Sequence, residues 1–234
     1  MTDRLTNLYI PRRGKWFVLM QRRFRQRRFA LIQQMIEAKL KEAGMVSILD
    51  VGGRANYWTM LPDDLRPHVS ITLLNSEAEL ANYFDSSVSG LCLKQVIGDG
   101  CDLSQYRDRS FDIVHSNSVL EHVGNYANML AFAHEIRRVA VSYYVQTPNF
   151  WFPIDPHTAF PIVHWLPDPA RLFLLTHASL GYAKKMDFKQ ALLSIDGTRM
   201  VSRRFMQRLF PDARHLCERV GFLFIKSLIA VRDK

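Results

Sequence analysis

The stretch SILDVGGRANYW, Ser47 to Trp58, constrains the chain more than any other. A short apolar run reaches Asp50 and Val51 and then meets two adjacent glycines. A buried strand that turns on glycine before a helix opens many nucleotide-binding α/β domains. Four further apolar runs, at 69–74, 94–98, 111–115 and 141–147, alternate with helical segments. Strands alternating with helices predict a doubly wound, mostly parallel, Rossmann-like sheet with helices on both faces. A well-marked helix is expected over Tyr126–Val139, with Leu130, Ala133 and Ile136 on one side. A shorter one is expected near 202–210.

The C-terminal segment ARHLCERVGFLFIKSLIAVR reads as two strands turning at Gly221, so the sheet should end in an antiparallel hairpin. Between the fifth strand and that hairpin lies a segment rich in proline and aromatic residues, about 149–190. Pro153, Pro156, Pro161, Pro167 and Pro169 exclude one long helix and any central strand. Its position beyond the carboxyl end of a strand is where open α/β sheets carry ligand-covering segments. The expected organisation is therefore a basic helical segment at 1–44 and one α/β domain at 45–234, with a lid insertion at about 149–190. In the first segment, Phe17, Met20, Phe24, Leu31 and Met35 recur at helical spacing and Gly44 supplies a stop.

Charge is concentrated in that first segment. Residues 1–28 hold nine Lys/Arg and one acid, Asp3, so +8 of the net +9 sits there. This predicts an anionic neighbour for the N-terminus, a membrane surface or an acidic ligand, and does not mark the whole chain as a nucleic-acid binder. Three scattered cysteines, Cys92, Cys101 and Cys217, form no metal or disulfide framework. With no leader-like apolar start and no 20-residue apolar run, the expected setting is the cytoplasm, peripheral to a membrane if the basic segment meets one.

The glycine turn is not a phosphate cradle. A pyrophosphate fingerprint from Gly52 would need glycine at 54 and 57, where Arg54 and Tyr57 stand, and no G-K-[ST] follows. What remains, an acid and two glycines, suits a cofactor whose amino-acid part carries an ammonium. In this order and spacing, ILDVGG, VIGDGCDL and FDIVHSNSVLEHV resemble the class I S-adenosylmethionine-dependent methyltransferases, most of all the branch acting on small molecules. The resemblance implies a seven-stranded sheet whose last strand is antiparallel. It also implies S-adenosyl-L-methionine as cofactor, with Asp50, Gly52 and Gly53 under its methionine part and Asp99, Gly100 and Cys101 at its adenine. Ser116 and Asn117 would line it after the fourth strand. Asn75 stands where an acid usually holds the ribose hydroxyls, with Glu77 two residues on, and Ala55 replaces a third glycine. Asp102 reads as a turn residue.

Methyl transfer to a hydroxyl needs alignment and a base, and histidine suits the base because its ordinary pKa is near 6.5. The candidates are His157, His122 and His164; His157 ranks first, its competing role being a pair with Asp155. Asn149 and Trp151 would join His164 in contacting the acceptor. SVLEH at 118–122 resembles the E-x-x-E-H by which ubiquinone-pathway O-methyltransferases hold a divalent metal. Ser118 replaces the first Glu, so no metal is expected and Glu121 and His122 are read as organising the site. Motifs for base amino groups and for cytosine C5 chemistry are absent. The expected activity is O-methylation of a small molecule, a sugar or lipid-linked compound among the acceptors. The rivals are a non-catalytic binding module of the same fold and, on the basic segment alone, an RNA methyltransferase.

Overall fold

The computed structural model describes residues 15–77 and 87–233, with side chains described from residue 23 onward. Helix α1 (Lys15–Ala43) leads through Gly44, whose φ of +74° only glycine adopts easily, into strand β1 (Val46–Val51). Then come β2 (Val69–Asn75), β3 (Cys92–Ile97), β4 (Phe111–Asn117), α2 (Tyr126–Val139) and β5 (Ala140–Pro148). The lid carries α3 (Asp168–His177) and α4 (Phe188–Asp196), and α5 (Arg203–Leu209), β6 (Arg214–Val220) and β7 (Phe224–Arg232) complete the chain. The proline-broken segment therefore forms two short helices, one of them ending past the anticipated boundary. Arg4, Arg12 and Arg13 lie outside the described residues, as do the side chains of Phe17 and Met20.

The seven strands order as β3-β2-β1-β4-β5-β7-β6, parallel except for β7, which runs against both neighbours. All four parallel pairings hold the strands in one direction, so their carboxyl ends form a common edge. The chain crosses from β3 over to β4 beside β1, making the switch point at which such sheets bind ligands.

Two cores flank the sheet. On one face α2 buries Met129, Phe132, Ala133, Ile136 and Val139 against Val51, Val114 and Tyr143. Leu130, expected on that buried side, is 60% exposed, because the apolar stripe of α2 runs through 129, 132, 133 and 136. On the other face α1 lays Phe29, Ile32, Met35 and Ile36 over β1 and β2. α1 runs antiparallel to β1, so Arg25 and Arg28 arrive at the carboxyl edge, where Arg25 reaches Asn56 and Arg28 reaches Asn117 and Gln146. A third, smaller cluster of Val163, Leu175, Leu180, Ala191 and Ile195 gives the lid its own interior.

Candidate active site

The turn after β1 is closed from within. Asp50 is buried, and both carboxylate oxygens are engaged: His115 Nδ1 lies 2.6 Å from Oδ1 and Trp58 Nε1 donates to Oδ2 at 2.7 Å. The His115 ring is stacked between Tyr57 and Tyr144. A Cβ on Gly53 would lie 1.7 Å from the Asp50 carboxylate, and one on Gly52, at φ +71°, would strike Val119. The close approach that these glycines permit is thus by the protein's own groups. Asp50, expected with Gly52 and Gly53 in the turn under the methionine part of the cofactor, lies beneath that turn and holds its shape, because a buried carboxylate takes the donors nearest to it.

The neighbouring strand ends are more open. Asn75 closes β2, its Nδ2 donating to the Gly53 carbonyl at 3.0 Å. That bond fixes the amide, so Oδ1 is the atom left to accept from a ligand. Asp99, exposed after β3, accepts the Cys101 backbone N–H at 2.9 Å through Oδ1. Gly100 packs where a Cβ would meet Val51 and Phe132. Burial and the adjacent Asp99 push the Cys101 thiol up to about 12, so it stays protonated. Asp102 accepts from the Ser104 N–H at 3.1 Å, the turn role read for it. At the end of β4, Ser116 is fully buried and its Oγ has no partner among the described residues. Asn117 Oδ1 is held at 2.9 Å by Arg28, which also donates to Gln146. Arg28 was counted in the sequence only as one of the nine cations of residues 1–28, with no site role.

Beyond β4 the chain turns on Ser118, whose φ of +61° is strained for a residue with a Cβ. Its Oγ donates to Gln146 Oε1, so the residue replacing the first Glu of the metal motif faces β5. The turn delivers Leu120–His122, and here Glu121 and His122, read as organising the site, meet His157, ranked first as base. One donor atom each from Glu121, His122 and His157 lie within 4.8 Å of one another. Glu121 is buried, Oε2 accepting from Thr147 at 2.8 Å and Oε1 unpartnered. Burial raises its pKa, against the opposing pull of His122. His122 donates from Nδ1 to the Gly197 carbonyl at 3.0 Å, which leaves Nε2 free. His157 Nδ1 lies 3.1 Å from Asp155 Oδ1, which leaves its Nε2 free as well. Burial pushes Asp155 up, but the side-chain and backbone donors of His157 outweigh it and the carboxyl is held below its usual range.

The lid is tied over this edge at several points. Asn149 bonds the Lys226 and Ile225 carbonyls at the start of β7, and Arg199 N–H donates to the Glu121 carbonyl at 2.7 Å. Asn149 is therefore spent in holding the lid root. Trp151 is largely exposed. His164 is buried inside the lid, donating from Nε2 to the Phe150 carbonyl at 2.9 Å, and desolvation lowers its pKa. His164 and Asn149, expected to contact an acceptor, make these internal bonds, and His164 Nδ1 has no partner among the described residues.

Residues 49–142 match a family model described as a methyltransferase domain, a span running from β1 into β5. That span carries a methyltransferase domain, and it holds the first-strand turn, the β2, β3 and β4 ends and Glu121–His122 of the site described above. No curated protein matches it by sequence. Among solved structures, a possible exported protein from Bordetella parapertussis aligns with TM-score 0.53 and 10% identity, covering 91% of this chain and 68% of the other. The methyltransferase domain of bacterial CtHen1 aligns with TM-score 0.50 and 13% identity, covering 88% and 97%. An O-methyltransferase candidate from Nostoc punctiforme aligns with TM-score 0.48 and 14% identity over 87% of this chain. The chain spans only 56% of the Nostoc protein's length. At these identities the likeness is one of fold.

Proposed function

We propose that the enzyme transfers a methyl group to the hydroxyl of a small-molecule acceptor, with His157 as the base. The observation carrying this reading is the convergence of Glu121, His122 and His157 at the carboxyl edge, with an oxygen of the buried Glu121 unpartnered. Leaving a buried carboxylate oxygen unpaired costs stability, so a module that only binds a partner gains nothing from keeping it.

The residues present fit the cofactor at the ends of β2, β3 and β4. Asp99 offers a carboxylate to an adenine amine, Asn75 Oδ1 accepts from ribose hydroxyls, and the orphan Ser116 Oγ lies at the β4 end beside the turn. Bound there, S-adenosylmethionine supplies a methyl on a sulfonium, already activated toward displacement. His157 takes the acceptor proton at Nε2 while Asp155 fixes the ring through Nδ1 and stabilises the imidazolium that forms. Glu121 faces both histidines and steadies the same positive charge.

The test is transfer of a radiolabelled methyl from S-adenosylmethionine to a pool of hydroxyl compounds. His157→Ala should cut transfer by about 10²- to 10³-fold while calorimetric binding of S-adenosylhomocysteine is retained; unchanged transfer removes His157 as base. A second reading rests on the same trio, whose spacing also suits a divalent cation held by one carboxylate and two imidazoles. Loss of transfer after EDTA and dialysis, restored by one divalent metal, would favour it over the base reading.

A further inference from the structure

The β6–β7 hairpin ends in three apolar residues that cover nothing. Phe222 is 95% exposed, Leu223 is 83% exposed, and Phe224 is about half exposed. A soluble surface rarely presents so concentrated an apolar tip without a use for it. Because β6 runs parallel to β5, the tip projects from the carboxyl edge, the edge that carries the candidate active site. The lid root joins the same patch: Asn149 is bonded to Ile225 and Lys226, and Trp151, just beyond it, stands 63% exposed with its ring near that of Trp165.

Cations surround this apolar tip. Arg219 donates to the Phe222 carbonyl, Lys226 lies over the Phe24 ring, and exposed Arg23, Arg25 and Arg27 occupy the part of α1 at this edge. No ion pair with an acid is seen for Arg219, Arg23, Arg25 or Arg27 among the described residues, while the half-buried Lys226 is also under the charge of Glu218, the one acid of this patch, which pairs with Arg28. Apolar and aromatic side chains that project past a collar in which cations outnumber the single acid match the layered chemistry of an anionic bilayer surface, headgroups outside and acyl chains within. A second copy of the chain fits worse. A tip of three residues is far smaller than the roughly 800 Å² per partner of a stable interface, and the cations of the two copies would face each other.

We propose that this edge docks on an anionic bilayer, with Phe222, Leu223 and Trp151 entering the interface and the arginines of α1 lying against lipid phosphates. The lid then opens toward the membrane. On the methyltransfer reading this makes a membrane-resident hydroxyl compound the acceptor class.

Sedimentation of the full chain with vesicles tests the docking without any need for turnover. Vesicles of phosphatidylcholine with about 30% phosphatidylglycerol should bind at least roughly tenfold better than phosphatidylcholine alone, and the difference should shrink at high salt. The double variant Phe222→Ser with Leu223→Ser should lose roughly tenfold in binding. Both side chains stand in solvent, so its thermal midpoint and its affinity for S-adenosylhomocysteine should be those of the parent. Phe222→Trp should show a blue-shifted emission on anionic vesicles, quenched by brominated acyl chains.

Equal binding by parent and double variant overturns the proposal, as does no vesicle binding by the parent. A dimer in solution that the double variant dissociates would assign the tip to a second copy and overturn it too. Salt-sensitive RNA binding without vesicle binding would do the same. Vesicle binding that depends on the tip, in a chain that fails to bind S-adenosylhomocysteine, would leave docking intact and remove the cofactor reading instead.

Discussion

Two carboxylate–histidine groups stand at the carboxyl edge of one sheet, and they are finished differently. At the end of β1, Asp50 spends both oxygens on Trp58 and His115, and aromatic rings cover the imidazole on both sides. Past the end of β4, Glu121 is as deeply buried, yet one oxygen is unpaired and two imidazoles stand before it with a nitrogen free. The same residue types therefore do opposite work. Where the carboxylate is saturated by donors, it locks the turn; where it is left short, it can act on a ligand.

The largest expected effect tests the open group. His157→Ala removes the only imidazole of the trio that is oriented by a carboxylate, so methyl transfer should fall by about 10²- to 10³-fold. The partly exposed ring adds little to packing, so the thermal midpoint should hardly move. A fall in both quantities would make His157 a structural residue like His115.

Next comes the closed group. Asp50→Ala strands the Trp58 N–H and the His115 ring in the interior and should cost about 3 kcal/mol. For a domain of this size that lowers the midpoint by roughly 6–12 °C. Gly53→Ala should act on the same contact, because its Cβ lands on the Asp50 carboxylate. If so, the double variant loses much less than the sum of the two, since the second change attacks a contact already lost. Additive losses would show that the two residues work independently. A third, smaller effect concerns the cofactor: Asn75→Ala should weaken S-adenosylhomocysteine binding by roughly three- to tenfold, the worth of one hydrogen bond.

The contrast between the groups also explains what could be read ahead of the structure. Strands with buried pleats, such as Val46–Val51, announce themselves as apolar runs. β3 is an edge strand with mostly exposed or half-exposed side chains, so its polarity hid its first two residues, Cys92 and Leu93. Asp50 was visible as a strand-end acid, but its partner lies 65 residues away on β4, and nothing local separates a saturated carboxylate from a free one. His122 and His157 were named singly. Their meeting depends on how the lid folds back from Asn149 to Arg199, which local periodicity does not encode. Arg28 shows the reverse problem: its type was plain, but its reach to Asn117 and Gln146 depends on where α1 lies on the sheet.

The smallest effect on stability is also the most discriminating, because it separates stability from chemistry at a single atom. Glu121 has its pKa raised in the folded protein above the ordinary 4.5, chiefly by burial. The native state therefore holds the proton more tightly than the unfolded chain does, and stability must decline as pH rises from about 4.5 through the folded value. Glu121→Gln keeps the size of the side chain and an oxygen for Thr147 but abolishes that titration. Its stability should be flat over the same window, equal to the parent's at low pH and above it at neutral pH. Methyl transfer should nevertheless drop roughly tenfold, because a neutral amide no longer steadies a protonated His157. A variant that is both less stable and less active would mean that Glu121, like Asp50, is kept for the fold. A more stable and slower one would show that the unpaired oxygen is retained for chemistry at a cost to the fold.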